Sequence, residues 1–559
     1  MKYLIRGTFW LLLSACLNSC AVIGINTGHK TPHKPGHYPE FTEEDSLRGQ
    51  LTRFRSAYDV TYYDLNIDVD IENKYLKGSV ELFFTAVDEL DTLQIDLYEN
   101  LKINSIVHNG HELSFRRKYK AVFIDLDEVL HTGEKCSLTV FYEGKPVTAP
   151  KPPWKGGFVW KKDKDKNPWI GVACEVAGAS LWWPVKDHIS DEPDSMRISV
   201  TVPDGLFCVS NGNLSARIEK NGRETFTWET RYPINTYNAT LYIGNFRHFQ
   251  LPFSNEESSI PLDFYVLPRN LEKAKTHFLQ AADIIRFYES VFGEYPYKKE
   301  GYKLIESPYE GMEHQTAIAY GNKYKNSFGS RFDYIILHET AHEWWGNSVS
   351  IGDYAEIWLH EGFATYSEAL YVEHLYGHEV YERYLSFYAM LIKNKKPVIG
   401  PYGVNYWDYK DTDVYMKGAL ILHTLRNYLD NDALFFDIIR TFYTTYKHSI
   451  ASTKDFIGIV NAKTQLDFTW FFDLYLYDRI CPQLEWNYRK HDVSGQYEFR
   501  YRWNNVSTDF PLPVRIRSGE RTSVLYPSQT VQTLMFNTED EVSINTDKSY
   551  ISLKKNKGL

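Results

Sequence analysis

Apolar and polar positions alternate along much of the chain between residues 51 and 250. Tyr63-Asp64-Leu65-Asn66-Ile67-Asp68-Val69-Asp70-Ile71 changes face at every residue, and Ser79-Val80-Glu81-Leu82-Phe83-Phe84 does so less cleanly. A period of two sets one face against a core and the other toward water, which predicts strands. Asn109-Gly110 and Asp204-Gly205 supply turns between such runs, and the lysine-rich stretch from Lys161 to Lys166 reads as a solvated loop. Residues 51–250 are therefore expected to form a large antiparallel β domain.

The period changes near residue 251. Asn270 to Phe292 carries Phe278, Ala281, Ala282, Ile285 and Phe287 near helical spacing, and helical segments continue to about Asp478, broken by the loop Pro397 to Asp413. Residues 251–483 are read as a mostly helical domain. Alternation returns over 484–559, as in Tyr497-Glu498-Phe499-Arg500-Tyr501 and Tyr550-Ile551-Ser552-Leu553, and predicts a small C-terminal β module. The expected class is α+β with several domains, without repeats or an internal transmembrane segment.

Length supports that division, because 559 residues exceed what one hydrophobic core organises. A hydrophobic fraction of 43% and an aromatic fraction of 16% exclude a disordered chain. A formal net charge of −10 argues against nucleic acid as a partner. The first nineteen residues read as an address: Lys2 and Arg6 precede a short apolar run starting at Phe9-Trp10-Leu11-Leu12-Leu13. The run ends at Leu17-Asn18-Ser19-Cys20, which resembles a bacterial lipobox whose cysteine carries the lipid; the alternative is an ordinary signal peptide with an incidental cysteine. Cleavage before Cys20 removes Lys2 and Arg6, taking the formal charge from −10 to −12. The His-, Pro- and Gly-rich residues 20–50 read as a tether, so the expectation is an exported protein lipid-anchored at Cys20 to the cell envelope, at the outer membrane or facing the periplasm. Cys136, Cys174, Cys208 and Cys481 are too few and too scattered for a disulfide scaffold, and no pairing is assigned.

Chemistry concentrates in the helical middle. His338-Glu339-Thr340-Ala341-His342 matches H-E-x-x-H, and on a helix residues four apart share a face, so both imidazoles reach one ion. Glu339 projects beside that ion, as a base for a water. The helix is expected over Phe332 to Trp345, stopped at Gly346-Asn347. Catalytic zinc takes three protein ligands, His₂Glu being one common set. Asp353 to Glu356 looks like a capping box opening a second helix through Tyr376, closed by Gly377, and that helix carries Glu361. Alone, Glu361 is a surface acid of an amphipathic helix; the upstream motif makes it the third ligand. Thr365 and Glu368, one and two turns further, are equal candidates to orient an imidazole.

His338-Glu339-x-x-His342, followed by Glu361 within Leu-x-Glu-Gly-Phe-Ala, resembles the M1 family of zinc aminopeptidases, which are gluzincins. Gly311-Met312-Glu313-His314 resembles that family's exopeptidase motif, Gly-(Ala or Gly)-Met-Glu-Asn. Val-Tyr415-Met-Lys-Gly-Ala-Leu resembles the segment carrying its catalytic tyrosine. Cys174-Glu175, Trp182-Trp183-Pro184 and Asp191-Glu192-Pro193 resemble its β-domain loop, and the strands from Asp64 to Thr85 with Tyr142-Glu143-Gly144-Lys145-Pro146 resemble its N-terminal domain. The resemblance spans roughly residues 50–480. It implies a thermolysin-like catalytic domain, one Zn2+ per chain, and peptide substrates with a free N-terminus. It further implies that Glu313 and Glu175 bind the substrate ammonium beside Gly311 and Met312 and that Tyr415 donates to the oxyanion; no obligate protein partner is evident in the sequence. Two carboxylates at a closed cleft end neutralise one ammonium and leave no room for chain beyond it.

Three features depart from the family pattern. His314 replaces the usual Asn and Glu310 the motif's first glycine, both expected to flank the substrate edge. The segment after residue 480 is short for the long helical C-terminal domain of many relatives, so a cleft without that lid is expected. Other readings are a zinc epoxide or ester hydrolase on the same site, a catalytically dead surface peptide-binding homologue, and a gluzincin endopeptidase, the last opposed by Glu313 and Glu175.

Overall fold

The alternation at Tyr63–Ile71 builds the strand Tyr58–Asp70, in the middle of an eight-stranded sheet. The structure, a computed structural model, describes residues 38–254, 259–327, 331–479, 481–490, 496–506, 510–536 and 542–559. The export signal, Cys20 and the start of the tether lie outside them. Across the sheet the order is Asn213–Lys220, Arg223–Thr230, Ser195–Pro203, Tyr58–Asp70, Tyr75–Ala86, Lys135–Gly144, Leu101–His108 and His111–Glu112. Neighbours run antiparallel except Tyr58–Asp70 and Ser195–Pro203, which are parallel. Alternation is satisfied: Leu76, Val80, Leu82, Phe84 and Ala86 of one strand are buried. The turn Asn109-Gly110 takes positive φ at both residues (49° and 83°), the geometry of a tight hairpin. Leu90–Asp96, Ala121–Leu130 and Phe115–Lys118 form a three-stranded sheet, and Phe207–Ser210, Leu241–Gly244, Pro168–Ala173 and Gly157–Lys162 a four-stranded one. Lys161 and Lys162 close that last strand, and only 163–167 loop out beyond it.

The tether reading fails over its last residues. Glu43–Gly49 is a helix with a capping box between Thr42 and Asp45, and it is packed into the body. A Cβ on Gly49 would lie 2.4 Å from the Val404 backbone nitrogen, and the Arg48 guanidinium donates to the Val176 carbonyl, one residue past Glu175.

The helical domain opens on a sheet that the sequence reading did not anticipate. Arg247–Ser254, Ser259–Val266, Tyr302–Glu306, Ile318–Tyr320 and Gly311–Met312 lie side by side in that order, with Gly311–Met312 at the edge. Leu271–His277 and Leu279–Phe292 follow the second strand. Four helices then frame the cleft: α1 (Tyr334–Ala341), α2 (Trp358–Tyr376), α3 (His378–Leu391) and α4 (Asp413–Leu429). Helix α1 is shorter than the span read for it, stopping at Ala341 with His342 as its cap residue. Asp353 caps a single 3-10 turn, Tyr354–Glu356, before α2, by accepting from the Ala355 N–H; α2 ends at Gly377, φ 85°. The C-terminal residues form a four-stranded and a three-stranded sheet. The chain is an α+β multidomain protein. Among the described residues no helix is long and apolar enough to cross a membrane, and Cys136, Cys174, Cys208 and Cys481 are free thiols.

Candidate metal centre and cleft

Helix α1 is tied down at its first turn. The buried Asp333 carboxylate accepts from the Ile335 N–H (2.9 Å), from Asn322 Nδ2 (2.8 Å) and from the Tyr320 hydroxyl (2.7 Å). One turn on, His338 and His342 point the same way, because His342 keeps helical dihedrals (φ −64°, ψ −20°) as the cap residue. His338 Nδ1 sits 2.6 Å from Glu368 Oε1, and His342 Nδ1 sits 2.8 Å from the Trp345 carbonyl. Both Nδ1 atoms are thereby assigned as donors, which leaves both Nε2 lone pairs free to ligate. Of the two orienting candidates, only Glu368 takes the task; its other oxygen accepts from Tyr384 (2.6 Å) and Tyr388 (2.9 Å). Thr365 Oγ1 is buried without a partner and lines the cleft.

Helix α2 brings Glu361 to the imidazoles. Its Oε2 lies 3.4 Å from each Nε2, and the two Nε2 atoms are 3.2 Å apart. Three ligands each about 2.0–2.1 Å from a tetrahedral ion stand about 3.3 Å apart. The triangle fits one zinc-sized ion, and Glu361 Oε2 has no other partner. Burial raises the Glu361 carboxyl, but the two imidazoles more than offset it and hold the group well below the usual carboxylate range.

Glu339 faces the edge strand. A Cβ on Gly311 would lie 2.3 Å from Glu339 Oε1 and 2.9 Å from Ile335 Cγ2, so glycine leaves the room the carboxylate occupies. Burial pushes Glu339 above the ordinary carboxylate range. Tyr415, on α4, stacks its ring 6.2 Å from that of His338. Its phenol is raised well above the usual value, first by burial and then by the Glu361 carboxylate, so it stays protonated. Gly362 and Gly418 bring these helices together: a Cβ on Gly418 would meet the Gly362 Cα at 2.8 Å. That contact seats Tyr415 beside Glu361.

Glu313 and Glu175 occupy the far end. Glu313 Oε1 accepts from the Tyr237 hydroxyl at 3.0 Å, and its backbone carbonyl accepts from Asn347 Nδ2 at 2.7 Å. Glu175 comes from the β-domain loop; its Oε1 is buried without a hydrogen bond. Burial raises both carboxyls, and the Glu313 charge raises Glu175 further. The loop is pinned on both sides, by the Val176 N–H donating to the Tyr354 hydroxyl (3.1 Å) and by Arg48. Gly178 (φ 92°) leaves space for the Asp187 carboxylate, which accepts from the Ala179 and Ser180 N–H groups at 3.1 Å.

All nine residues singled out (Glu175, Gly311, Met312, Glu313, His338, Glu339, His342, Glu361 and Tyr415) line one cleft. The two departures separate. Glu310 lines the cleft, whereas His314 is fully buried away from it, with Nδ1 2.6 Å from the Tyr242 hydroxyl. The structure thereby corrects the expectation that His314 flanks the substrate edge. Sequence reasoning missed Tyr237, Asn347 and the Tyr384–Tyr388 pair; nothing in their spacing distinguishes them from other aromatic and polar residues.

The model of the peptidase family M1 domain matches residues 277–475, and that of the peptidase M1 N-terminal domain matches residues 60–238. A leucyl aminopeptidase of Saccharolobus solfataricus is 26% identical over 321 residues, 55% of this chain and 38% of its own length. A probable aminopeptidase 2 of Sulfurisphaera tokodaii is 24% identical over 417 residues, 70% of this chain and 50% of its own. The chain thus spans half or less of the length of these two relatives. The crystal structure of an M1 zinc metallopeptidase from Deinococcus radiodurans shares the fold, with a TM-score of 0.66 at 23% identity, covering 76% of this chain and 94% of that one. A mutant of that metallopeptidase was solved bound to a Tyr-Ser-Ala substrate. With both family models matched in chain order over well over half its length, and the metal triangle and the facing carboxylates lying within their reach, the chain belongs to peptidase family M1.

Proposed function

We propose that this chain is a zinc-dependent aminopeptidase that hydrolyses the N-terminal peptide bond of peptides with a free N-terminus. The observation that carries the reading is the pair of carboxylates, buried Glu313 and half-buried Glu175, lining the same cleft as the His338–His342–Glu361 triangle. Four carboxylates (Glu175, Glu313, Glu339 and Glu361) share one poorly solvated space, which calls for cations. A divalent ion and a substrate ammonium are the two that fit. The aminopeptidase relatives, and the metallopeptidase that binds Tyr-Ser-Ala, support it.

Zinc held by His338, His342 and Glu361 would supply Lewis-acid polarisation of the scissile carbonyl and of a water. The chain's own residues do the rest. Glu313 and Glu175 pair with the ammonium and stop the substrate there. Glu339 takes the proton of the attacking water and returns it to the leaving amine. Tyr415, kept protonated, donates its hydroxyl to the oxyanion that develops at the carbonyl. Glu368 holds the His338 ring in its ligating tautomer. No residue argues for an epoxide or ester substrate, and ligands, base and tyrosine standing together argue against a dead homologue.

We further propose export and lipid anchoring at Cys20 to the cell envelope, supported by the Leu17-Asn18-Ser19-Cys20 sequence. In cells fed a labelled fatty acid, the wild type takes up label and Cys20→Ala does not; equal labelling refutes the anchor. Aminopeptidase activity is tested with a fluorogenic aminoacyl amide. Turnover that chelator abolishes and zinc restores supports it, and turnover indifferent to chelator contradicts it.

A further inference from the structure

Glu310 has no task in the scheme above, yet it lines the cleft one residue before the edge strand. Its backbone is held, with the carbonyl accepting from the Gly321 N–H at 2.7 Å. Its carboxylate makes no hydrogen bond or ion pair among the described residues. The charges that act on it are Lys323 and Asp333. Lys323 is exposed and forms no ion pair with it, and Asp333 already serves Ile335, Asn322, Tyr320 and His277.

The edge strand and helix α1 give the cleft a direction. Gly311 lies against Ile335 and Glu339, and Glu313, two residues on, lies toward His342 and Asn347. Strand and helix therefore run the same way, with the ammonium end at Glu313 and Glu175 and the base midway. Glu310 lies on the opposite side of Glu339, where the chain beyond the scissile bond must pass. Glu310 and Glu313 flank the two-residue edge strand, three residue steps apart, a span of at most about 10 Å. One substrate residue covers about 3.5 Å of that, and the remaining ~6 Å is the reach of a lysine or arginine side chain.

We propose that Glu310 is a specificity-determining residue that reads the side chain immediately after the scissile bond and favours lysine or arginine there; the assignment rests on the aminopeptidase reading. Burial pushes the Glu310 carboxyl up to about 7, as for an acid whose stabilising cation arrives with the ligand.

The test is a competition among peptides Xaa-Yaa-Ala-Ala, with Xaa the best-accepted N-terminal residue and Yaa lysine, arginine, alanine or glutamate. Product formation by zinc-loaded enzyme is followed by mass spectrometry. The expected kcat/KM ratio of lysine over glutamate is about ten-fold or more, shrinking as salt rises. Glu310→Gln brings the ratio near one, and Glu310→Lys inverts it, in variants whose melting temperatures match the parent. A wild-type ratio near one, or a Glu310→Gln ratio equal to wild type, overturns the assignment while leaving the activity standing. If none of the peptides is cut, the aminopeptidase reading itself falls, and this assignment with it.

Discussion

His338 and His342 are held by different means, a carboxylate in one case and a backbone carbonyl in the other, and the difference is testable. Glu368→Gln keeps the shape of the Glu368 contact but removes its charge, and is expected to weaken zinc binding about 10- to 100-fold, the usual range for such supporting groups. Thr365→Val, altering a hydroxyl without a partner, should leave affinity unchanged; competition against a chromogenic chelator reads both. Glu339→Gln should lower turnover by ~10²–10⁴ while one zinc per chain is retained, as measured by metal analysis beside kinetics. Loss of the metal together with the activity would make Glu339 a ligand. At this scale the sequence was legible where the helix period alone decides geometry. His338, Glu339 and His342 follow from spacing on one face, and Glu361 from a second helix. Glu175 and Tyr415 come from segments remote in sequence, so only family resemblance marked them. The choice of Glu368 over Thr365 needed the packing of α3, which supplies Tyr384 and Tyr388.

Helices α2 and α4 cross backbone to backbone at Gly362 and Gly418, and the separation of Glu361 from Tyr415 depends on that contact. In Gly418→Ala the new methyl would sit 2.8 Å from the Gly362 Cα, inside van der Waals distance. Overpacking of this kind costs about 1–3 kcal/mol, so the melting temperature should fall by a few degrees. The kcat should fall with it, whereas zinc content should persist; an unchanged kcat would show that Tyr415 does not depend on the crossing. The helix Glu43–Gly49 matters for another reason: Arg48 ties it to the loop carrying Glu175. Arg48→Ala should raise KM for free-amine substrates more than it lowers kcat, and steady-state kinetics separates the two. That helix was misread as tether because its surroundings are rich in His, Pro and Gly. Thr42-Glu43-Glu44-Asp45, a threonine with an acid three residues on, was the available signal. The sheet that opens the catalytic domain was missed similarly, although Ile260, Leu262, Phe264 and Val266 are buried at a period of two.

Across the whole molecule, the cleft behind the proposed function is built from two domains. The β domain contributes Glu175, and the mostly helical domain contributes the His338–His342–Glu361 triangle, Glu339 and Tyr415. The C-terminal module braces α3 and α4 through Asp547, whose carboxylate accepts from Ser386 of α3 at 3.1 Å and whose carbonyl faces His423 Nε2 of α4 at 2.6 Å. Among the described residues none of this module lines the cleft, whose lining ends at Met416. Peptides of two to ten residues should therefore be trimmed without a sharp cut-off in kcat/KM, and a limit at two or three residues would mean that the cleft is closed in solution. The central claim is that a metal centre and an ammonium-binding carboxylate pair share one cleft and act together. Its most direct measurement compares one peptide with a free and with an acetylated N-terminus, incubated with zinc-loaded enzyme and followed by mass spectrometry. The account predicts stepwise loss of N-terminal residues from the free peptide and none from the acetylated one. Cleavage of both at similar rates, or cuts inside the chain, would contradict it.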